Sequence, residues 1–252
     1  MTSIDIAKIM DGRALARRVL ETAKAKLEKI RGATGVTPAL ATVLVGDDRA
    51  SATYVRMKRK RCEDVGMKSL AIEMPRGTTT EQLVTEIRQL GHDPGVHGIL
   101  IQHPVPAPID RRTAFETIPV EKDVDGVTSS TLGRTILGLP AYAACTPAGI
   151  MQLLREYKVD LDGAYAVVLG RSPILGRPMA SMLINAHATV TLCHSRTRVL
   201  PGQDERPFVD GFRGLKWIGY QDYCSFECGV RGNPQEEFPK SMAFLRDQWT
   251  KA

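Results

Sequence analysis

Tyr54 and Lys58 are the first side chains in this sequence whose types and spacing could support acid/base chemistry. They lie four residues apart in segment 51–61, so a helix there would carry both on one face. We interpret Ser51 as the N-cap of this helix and Gly66 as the residue that ends it. A phenol beside an amine can form an acid/base or nucleophilic pair. The alternative is a solvent-exposed basic face, because arginines and lysines crowd the same segment and Tyr-x-x-x-Lys is a weak motif.

The first hundred residues alternate between amphipathic and nearly continuous apolar segments. The predicted helices span 14–31, 51–65 and 78–90, and the predicted strands span 38–45, 69–74 and 98–102. Alternating helices and strands of this kind are typical of a parallel α/β sheet. In such sheets ligands bind at the carboxyl ends of the strands, which is where Tyr54 and Lys58 would lie.

Gln102 ends the third predicted strand. It is followed by three prolines, at 104, 106 and 108, which end the strand and stiffen the loop after it. Gln102 is therefore expected at the same sheet edge as Tyr54 and Lys58. A short helix over 111–117 should follow.

Asp123 and Asp125 lie two residues apart in the irregular segment 121–126. Carboxylates in such loops often only cap turns, and on this segment alone the turn-capping interpretation is favoured over a chemical role. Thr146 and Pro147 then resemble an N-cap and a first helical residue, for a helix that runs to about residue 157.

The pattern of strand, glycine-bearing turn, helix and strand begins again at residue 164. Segments 164–170 and 189–193 read as strands around a helix that ends near Asn185, which indicates half of a Rossmann-type domain. Gly170 and Gly176 stand in the connecting turn in place of the usual Gly-x-Gly-x-x-Gly. The backbone amides at the start of that helix could bind phosphate.

Cations and hydroxyls follow the second of these strands. Arg171, Ser195, Arg196 and Thr197 lie where a ribose 2′-substituent would reach, and the absence of an acidic residue among them favours NADP over NAD. The alternative is an ordinary βαβ unit with a tight turn, because the glycine fingerprint is imperfect.

The composition is that of a globular protein with a modest positive charge. The 252 residues are 43% hydrophobic and 25% charged, with a net charge of +6, and the basic residues are spread along the chain, which argues against nucleic-acid binding. No long apolar run or signal-like start is present, so we expect a cytoplasmic protein without a membrane segment. The five cysteines are expected to be free thiols, and the five scattered histidines predict no metal site.

Seven local patterns together resemble the bifunctional methylenetetrahydrofolate dehydrogenase (NADP+)/methenyltetrahydrofolate cyclohydrolase family, in its bacterial form. The resemblance covers about residues 8–202, and its motifs are highly specific in combination although each is weak alone. The matching residues are Asp11-Gly12, Tyr54-Val-Arg-Met-Lys58, His97-Gly-Ile-Leu-Ile-Gln102-His-Pro104, Lys122-Asp-Val-Asp-Gly126, Cys145-Thr-Pro147, Gly170-Arg-Ser172 with Gly176 and Pro178, and Cys193-His-Ser-Arg-Thr197.

The resemblance implies one active site that runs two steps. NADP takes a hydride from 5,10-methylenetetrahydrofolate, and water then opens the methenyl cation to 10-formyltetrahydrofolate. Lys58 would be the acid/base of the hydrolytic step, Tyr54 would stack on the folate and Gln102 would hold Lys58. The resemblance further implies substrate contacts and NADP contacts at two sets of residues: Ile101, His103 and Asp125 (on the pterin ring) for folate, and Gly170, Arg171, Ser172, Ser195, Arg196 and Thr197 for NADP.

Two domains are expected from the resemblance, with a homodimer formed through the second. An α/β catalytic domain with a parallel sheet would span 1–147, and an incomplete Rossmann-type NADP-binding domain would span 148–202. The remaining segment, 203–252, holds most of the aromatic residues and few Val, Leu or Ile, and the family's Pro-Val-Pro-Gly-Gly-Val-Gly-Pro stretch is absent. We interpret this tail as a change of reading frame, with a divergent tail as the alternative, and Cys224 and Cys228 as incidental rather than zinc ligands.

Three functional hypotheses stay open at this point. The first is the bifunctional enzyme. The second is a folate- or nucleotide-binding remnant without turnover, and the third is a cyclohydrolase without dehydrogenase activity.

Overall fold

The computed structural model describes residues 10–197 together with Asp247 and Thr250. The chain begins with alternating helices and strands, which are α1 (Gly12–Thr34), β1 (Ala39–Val45), α2 (Arg49–Val65), β2 (Lys68–Met74), α3 (Thr80–His92), β3 (Gly98–Ile101) and α4 (Arg111–Glu116). A short 3-10 helix (Val120–Lys122) precedes α5 (Ser129–Ile136) and α6 (Cys145–Glu156). The last described elements are β4 (Tyr165–Leu169), α7 (Gly176–Asn185) and β5 (Thr189–Cys193). The predicted tail over 203–252 lies outside the described residues, except for Asp247 and Thr250.

The first three strands form a parallel sheet in the order β2-β1-β3, as the alternating pattern predicted. Val43 in the central strand pairs with Ile72 on one side and with Ile101 on the other. The strand β1 is buried along almost its whole length, and its side chains form one core with α3, α4 and the segment that follows β3. This core fixes the carboxyl edge of the sheet, from which α2 and the loop after β3 emerge.

The start of α2 differs from the prediction. The N-cap is Asp48, whose carboxylate accepts the Ser51 amide at 2.7 Å, so Ser51 lies inside the first turn and is not the cap. Aspartate and serine are about equally good caps, and local sequence did not separate them. Gly66 does end the helix, in a left-handed conformation with φ of 87°, as predicted.

Other helix boundaries also differ, and one helix was not predicted. Thr79 caps α3 in a capping box with Gln82, and the helix continues through Gly91 to His92. Ala144 is the N-cap of α6 where Thr146 was predicted, and Pro147 is the third helical residue. The helix α5 was not predicted at all, and Thr128 caps it by accepting the Thr131 amide.

The second group of elements has its own parallel pair, β4-β5, and its own apolar core. The residues of that core come from α6, α7 and the two strands, and the buried ones are Met151, Met179, Leu183 and Ala188. This arrangement matches the predicted half of a Rossmann-type unit. The two groups contact each other through Asn185, which donates to the Thr135 carbonyl at 2.7 Å, and through Tyr157, whose hydroxyl accepts the Asp11 amide at 2.6 Å. Among the described helices, none has the length and apolar character needed to cross a membrane.

Candidate active site

The helix α2 presents Tyr54 and Lys58 at the carboxyl edge of the first sheet. Val55 and Cys62 on the adjoining face are buried and hold the helix against the core. Tyr54 is 57% exposed and Lys58 is half-buried. The predicted pair therefore lies on one exposed face one turn apart, with the phenol ring free to stack on a flat ligand.

Lys58 is held by a short hydrogen-bond chain that starts at β3. Its Nζ atom donates to Oε1 of Gln102 at 3.1 Å, and Nε2 of Gln102 donates to the His103 carbonyl at 2.8 Å. The same carbonyl also accepts the Ser51 hydroxyl at 3.2 Å. A carbonyl can only accept, so this chain fixes the amide of Gln102 with its oxygen towards Lys58. Ser51, predicted as a cap, thus supports the site instead.

His103 lies next to this chain with its ring packed edge-on against Phe115, at 4.7 Å between ring centres. Its Nε2 atom is buried without a hydrogen-bond partner among the described residues. Burial lowers the pKa of His103, and the positive charges of Arg111 and Lys58 lower it further against the opposing effect of Asp125. The ring of His103 is therefore neutral at neutral pH.

The two aspartates of segment 121–126 have different roles. Asp123 is fully buried, and its carboxylate accepts the amides of Val127 and Thr128 at 3.0 and 2.9 Å. Asp125 is only partly buried, and its charge acts on both His103 and Cys145. The turn-capping interpretation is thus right for Asp123, whereas the Asp125 carboxylate faces His103 and Cys145.

Cys145 is a member of this site for which the sequence predicted no role. Its thiol donates to the Val124 carbonyl at 3.6 Å. Desolvation of the sulfur by the surrounding protein, followed by the charge of the nearby Asp125, raises the pKa of the Cys145 thiol to about 12, although the residue as a whole is exposed. The thiol is therefore protonated, and its one proton is directed to the Val124 carbonyl. No local signal places position 145 beside position 125, because the contact is long-range.

Ile101 was expected to contact substrate, but its side chain lies in the core and not beside Lys58 and Gln102 at the sheet edge. Its side chain is 3% exposed and belongs to the core of the first sheet. Only its backbone is available at the strand end, so a substrate contact through Ile101 stays a prediction for the backbone alone.

A separate cavity of about 410 Å³ does not coincide with this site. Its lining consists of Val120, Glu121, Thr131, Arg134, Pro140, Ala141 and Tyr142. None of the residues that surround Lys58 belongs to it, and the hydrogen-bonded cluster at the sheet edge is the better candidate for chemistry because it brings an amine, a carboxylate and a neutral imidazole together.

The turn between β4 and α7 is built for a close approach of backbone. Gly170 has φ of 121°, and a Cβ atom on Gly176 would lie 2.0 Å from the Gly170 carbonyl oxygen. Both positions therefore require glycine. At the helix start the Arg177 amide donates to the Ser172 carbonyl and Pro178 has no amide, so fewer amides than predicted are available to a phosphate.

Of the predicted 2′-phosphate residues, Ser195, Arg196 and Thr197 follow β5, whereas Arg171 follows β4 in the glycine turn at the same edge. The Gly170 amide bonds to the Cys193 carbonyl, which joins the two loops. Arg171, Ser195 and Arg196 are exposed, whereas the Thr197 hydroxyl accepts the His194 amide at 2.8 Å and so shapes its own turn. Two guanidinium groups beside a glycine turn fit a phosphorylated dinucleotide.

Metal chemistry was not expected here. Within residues 10–197, no group of three or more His, Cys, Asp or Glu side chains is arranged to hold an ion.

Family models match both halves of the chain. Residues 10–125 match the tetrahydrofolate dehydrogenase/cyclohydrolase catalytic domain, and residues 144–206 match the NAD(P)-binding domain of the same family. The bifunctional protein FolD of Acinetobacter baumannii is 57% identical over 196 residues, which cover 78% of this chain and 70% of that protein. FolD of Saccharophagus degradans is 56% identical over 194 residues, or 77% of this chain and 69% of its own.

Solved structures of similar proteins have the same architecture. The bifunctional FolD methylenetetrahydrofolate dehydrogenase/cyclohydrolase of Campylobacter jejuni is 44% identical with a TM-score of 0.74, over 76% of this chain and 68% of that one. The FolD enzyme of Trypanosoma brucei, solved with NADP cofactor and an inhibitor, is 34% identical with a TM-score of 0.73. The match covers 76% of this chain and 66% of that one.

Proposed function

Because the chain belongs to the tetrahydrofolate dehydrogenase/cyclohydrolase family, we propose that it carries out both steps at the site around Lys58. It oxidises 5,10-methylenetetrahydrofolate to 5,10-methenyltetrahydrofolate with NADP+, and it hydrolyses the product to 10-formyltetrahydrofolate. The observation that carries this proposal is the Lys58–Gln102 pair beside Asp125, on a chain that matches both family domains.

NADP+ fits the glycine turn and the guanidinium groups described above, and when bound it accepts the hydride. Gly170 and Gly176 let the backbone approach the pyrophosphate, while Arg171 and Ser172 lie beside it. Ser195, Arg196 and Thr197 follow β5, where the ribose 2′-phosphate would be bound. These assignments are supported by the exposed side chains at that edge and by the absence of an acidic residue among them.

Lys58 is the acid/base of the hydrolytic step. Water that adds to the methenyl carbon must lose a proton, and a neutral amine is the group at this edge that can accept it. Gln102 holds one N–H of the amine, so the lone pair of the neutral amine remains available to a proton on the substrate side. The neutral ring of His103 places no further positive charge against the methenyl cation.

Tyr54 and Asp125 bind the folate on either side of the reacting carbon. The exposed ring of Tyr54 offers a stacking surface for a flat ring system, one turn from Lys58. Asp125 accepts from the amino group and ring N–H of the pterin, as a carboxylate does with an aminopyrimidine.

Several further expectations remain predictions. We infer a catalytic domain over 1–147 and an NADP-binding domain over 148–202, with residues 203–252 as an atypical tail. We also infer a cytoplasmic homodimer that binds folate and neither nucleic acid nor membrane. Light scattering of the purified chain and fractionation of the cells that make it would test the assembly state and the location.

The test of the proposed function is an assay of both steps on the purified chain. Formation of the methenyl chromophore from methylenetetrahydrofolate and NADP+ reports the first step, and its disappearance reports the second. The Lys58→Met variant is the matched control, because it removes the amine and keeps the length of the side chain. Absence of hydrolysis in the unaltered chain, or equal hydrolysis in the variant, would overturn the proposal.

A cyclohydrolase without dehydrogenase activity is the second candidate. It is favoured by one observation, which is that Tyr54, Lys58, Gln102 and Asp125 all lie in the part that matches the catalytic domain, while the match to the NAD(P)-binding domain ends at residue 206. A folate- or nucleotide-binding protein without turnover is the third possibility, and the same pair of assays separates all three.

A further inference from the structure

The segment that carries Asp125 is anchored to the end of α3 by a lysine. The Nζ atom of Lys122 donates to the carbonyls of Leu90, Gly91 and Asp93 at 3.3, 2.8 and 2.7 Å. The last carbonyls of a helix have no partners within the helix and carry its partial negative charge, so an ammonium group is well matched to them. Lys122 thereby uses all three of its protons to fix one end of the turn.

Asp123 anchors the other side of the same turn. Its buried carboxylate accepts two amides at the start of α5, and its backbone forms an isolated parallel bridge with Ile99 of β3. An ionised acceptor with two amide donors is a strong and directional arrangement. The turn is thus tied to a helix end, a strand and a helix start within two successive residues.

The residues on both sides of Asp125 are closely packed against other segments. A Cβ atom on Gly98 would lie 2.7 Å from Cγ1 of Val124, so Val124 fills the space that this glycine leaves. Gly126 has φ of 66°, and a Cβ atom there would lie 2.6 Å from both the Ala144 nitrogen and the Tyr142 oxygen. Position 125 therefore lies between two close contacts, so a change in the path of the turn at residue 122 would disturb both of them.

Asp125 differs from its neighbours because its side chain takes no part in these anchors. Its charge acts on the Cys145 thiol and on His103. The turn is anchored at several points, and the Asp125 side chain forms none of these anchors. Such an arrangement can hold one side chain in position for a ligand.

We propose that Lys122 is a positioning residue for the folate-binding carboxylate: by fixing the turn 122–126 to the end of α3, it sets the place of Asp125 relative to Lys58. This inference rests on the proposed function, in which Asp125 binds the pterin. Loss of the anchor weakens substrate binding without removing any group that reacts, so KM for folate rises while kcat is retained.

The experiment is a double-mutant cycle on the cyclohydrolase step of the full chain, with 5,10-methenyltetrahydrofolate as substrate. The four proteins are the unaltered chain, Lys122→Met, Asp125→Ala and the double variant. We expect Lys122→Met to raise KM about tenfold with kcat within about twofold, because small displacements of positioning groups have effects of this size or larger. If Lys122 acts through Asp125, the double variant has the KM of Asp125→Ala alone.

His92→Ala is the matched control for general weakening of the helix end. The Nδ1 atom of His92 lies 2.6 Å from the Arg88 carbonyl at the same end of α3, without contact with the turn. We expect this variant to keep the KM of the unaltered chain. Thermal unfolding of all variants identifies any that fail to fold, and Lys122→Gln, which keeps one short donor, replaces Lys122→Met in that case.

The outcomes separate the positioning role of Lys122 from the proposed pterin contact of Asp125. Independent effects of Lys122→Met and Asp125→Ala in the double variant, an unchanged KM in Lys122→Met, or an equal rise in His92→Ala would overturn the positioning role. An unchanged KM in Asp125→Ala alone would instead remove the proposed pterin contact, which belongs to the proposed function.

Discussion

The Nζ atom of Lys58 lies 3.1 Å from Oε1 of Gln102, although the two residues are 44 positions apart in the chain. The contact forms because α2 begins, and β3 ends, at the same edge of one parallel sheet. It places an amine in a defined position, with one of its protons held by a neutral acceptor. Replacement of either partner should therefore affect chemistry more than folding.

Lys58→Met should abolish hydrolysis of 5,10-methenyltetrahydrofolate and leave folate binding within a few-fold. In the proposed mechanism the amine takes the proton, whereas the ring of Tyr54 and the carboxylate of Asp125 bind the folate. Loss of the chromophore in single-turnover assays and a fluorescence titration with folate measure the two effects. Lys60→Met, at an exposed position of the same helix, is the control and should be active. Near-normal hydrolysis in Lys58→Met would disprove the role of Lys58.

Gln102→Ala should lower the rates of both steps. Without the amide, the lysine loses its fixed direction, and a mispositioned acid/base group commonly costs on the order of a hundredfold in proton transfer. Steady-state rates of both reactions measure the change. If neither rate changes, Gln102 does not position Lys58 for the reaction and is only the residue at the end of its strand.

Gln102→Glu tests the same contact through its charge. A carboxylate next to Lys58 favours the ammonium form, so the neutral amine would be reached only at higher pH. We expect the pH profile of hydrolysis to shift towards higher pH, with reduced activity at neutral pH. An unshifted profile would show that the charge state of Lys58 does not limit the reaction.

How far the sequence predicts this site depends on which contacts are local. The spacing of Tyr54 and Lys58 predicted that they share one helix face. The end of an apolar strand predicted that Gln102 lies at the same sheet edge. Asp123 and Asp125 could not be ranked from the loop alone, because the amides that occupy Asp123 are those of Val127 and Thr128. These two residues lead into α5, whose serines, threonines and glycine gave no helical pattern. Cys145 belongs to a motif of the resemblance, but its place beside Asp125 could not be predicted, since only the folded backbone brings the two together.

Alkylation of Cys145 should be slow at neutral pH and should accelerate only in strongly alkaline solution. Desolvation and the charge of Asp125 raise the pKa of this thiol to about 12, and the thiolate is the reactive form. Asp125→Asn should bring the onset of alkylation to lower pH, because it removes a negative charge beside the sulfur. Iodoacetamide labelling followed by peptide mass spectrometry reads Cys145 separately from the buried Cys62 and Cys193. Rapid labelling of Cys145 at pH 7 in the unaltered chain would contradict the raised pKa of its thiol.

The last prediction concerns the two activities and the C-terminal segment. The cyclohydrolase residues lie within the described catalytic part, and the match to the NAD(P)-binding domain ends at residue 206. The turn at Gly170 and the guanidinium groups of Arg171 and Arg196 can bind the phosphates of NADP+. Hydride transfer demands more, because donor and acceptor carbons must be held about 3–3.5 Å apart in a fixed orientation, and loose placement costs a hundredfold or more.

We therefore expect weak NADP+ binding and a lower ratio of dehydrogenase to cyclohydrolase rate in this chain than in a version that carries a family C-terminal region from residue 203. Gly176→Ala is the matched variant, because a Cβ atom there would lie 2.0 Å from the Gly170 carbonyl oxygen and should impair dehydrogenase activity alone. Both steps are assayed in all three proteins under the same conditions. Equal dehydrogenase rates in the first two would mean that residues 203–252 supply what hydride transfer needs, and that our interpretation of this segment as a defect is wrong.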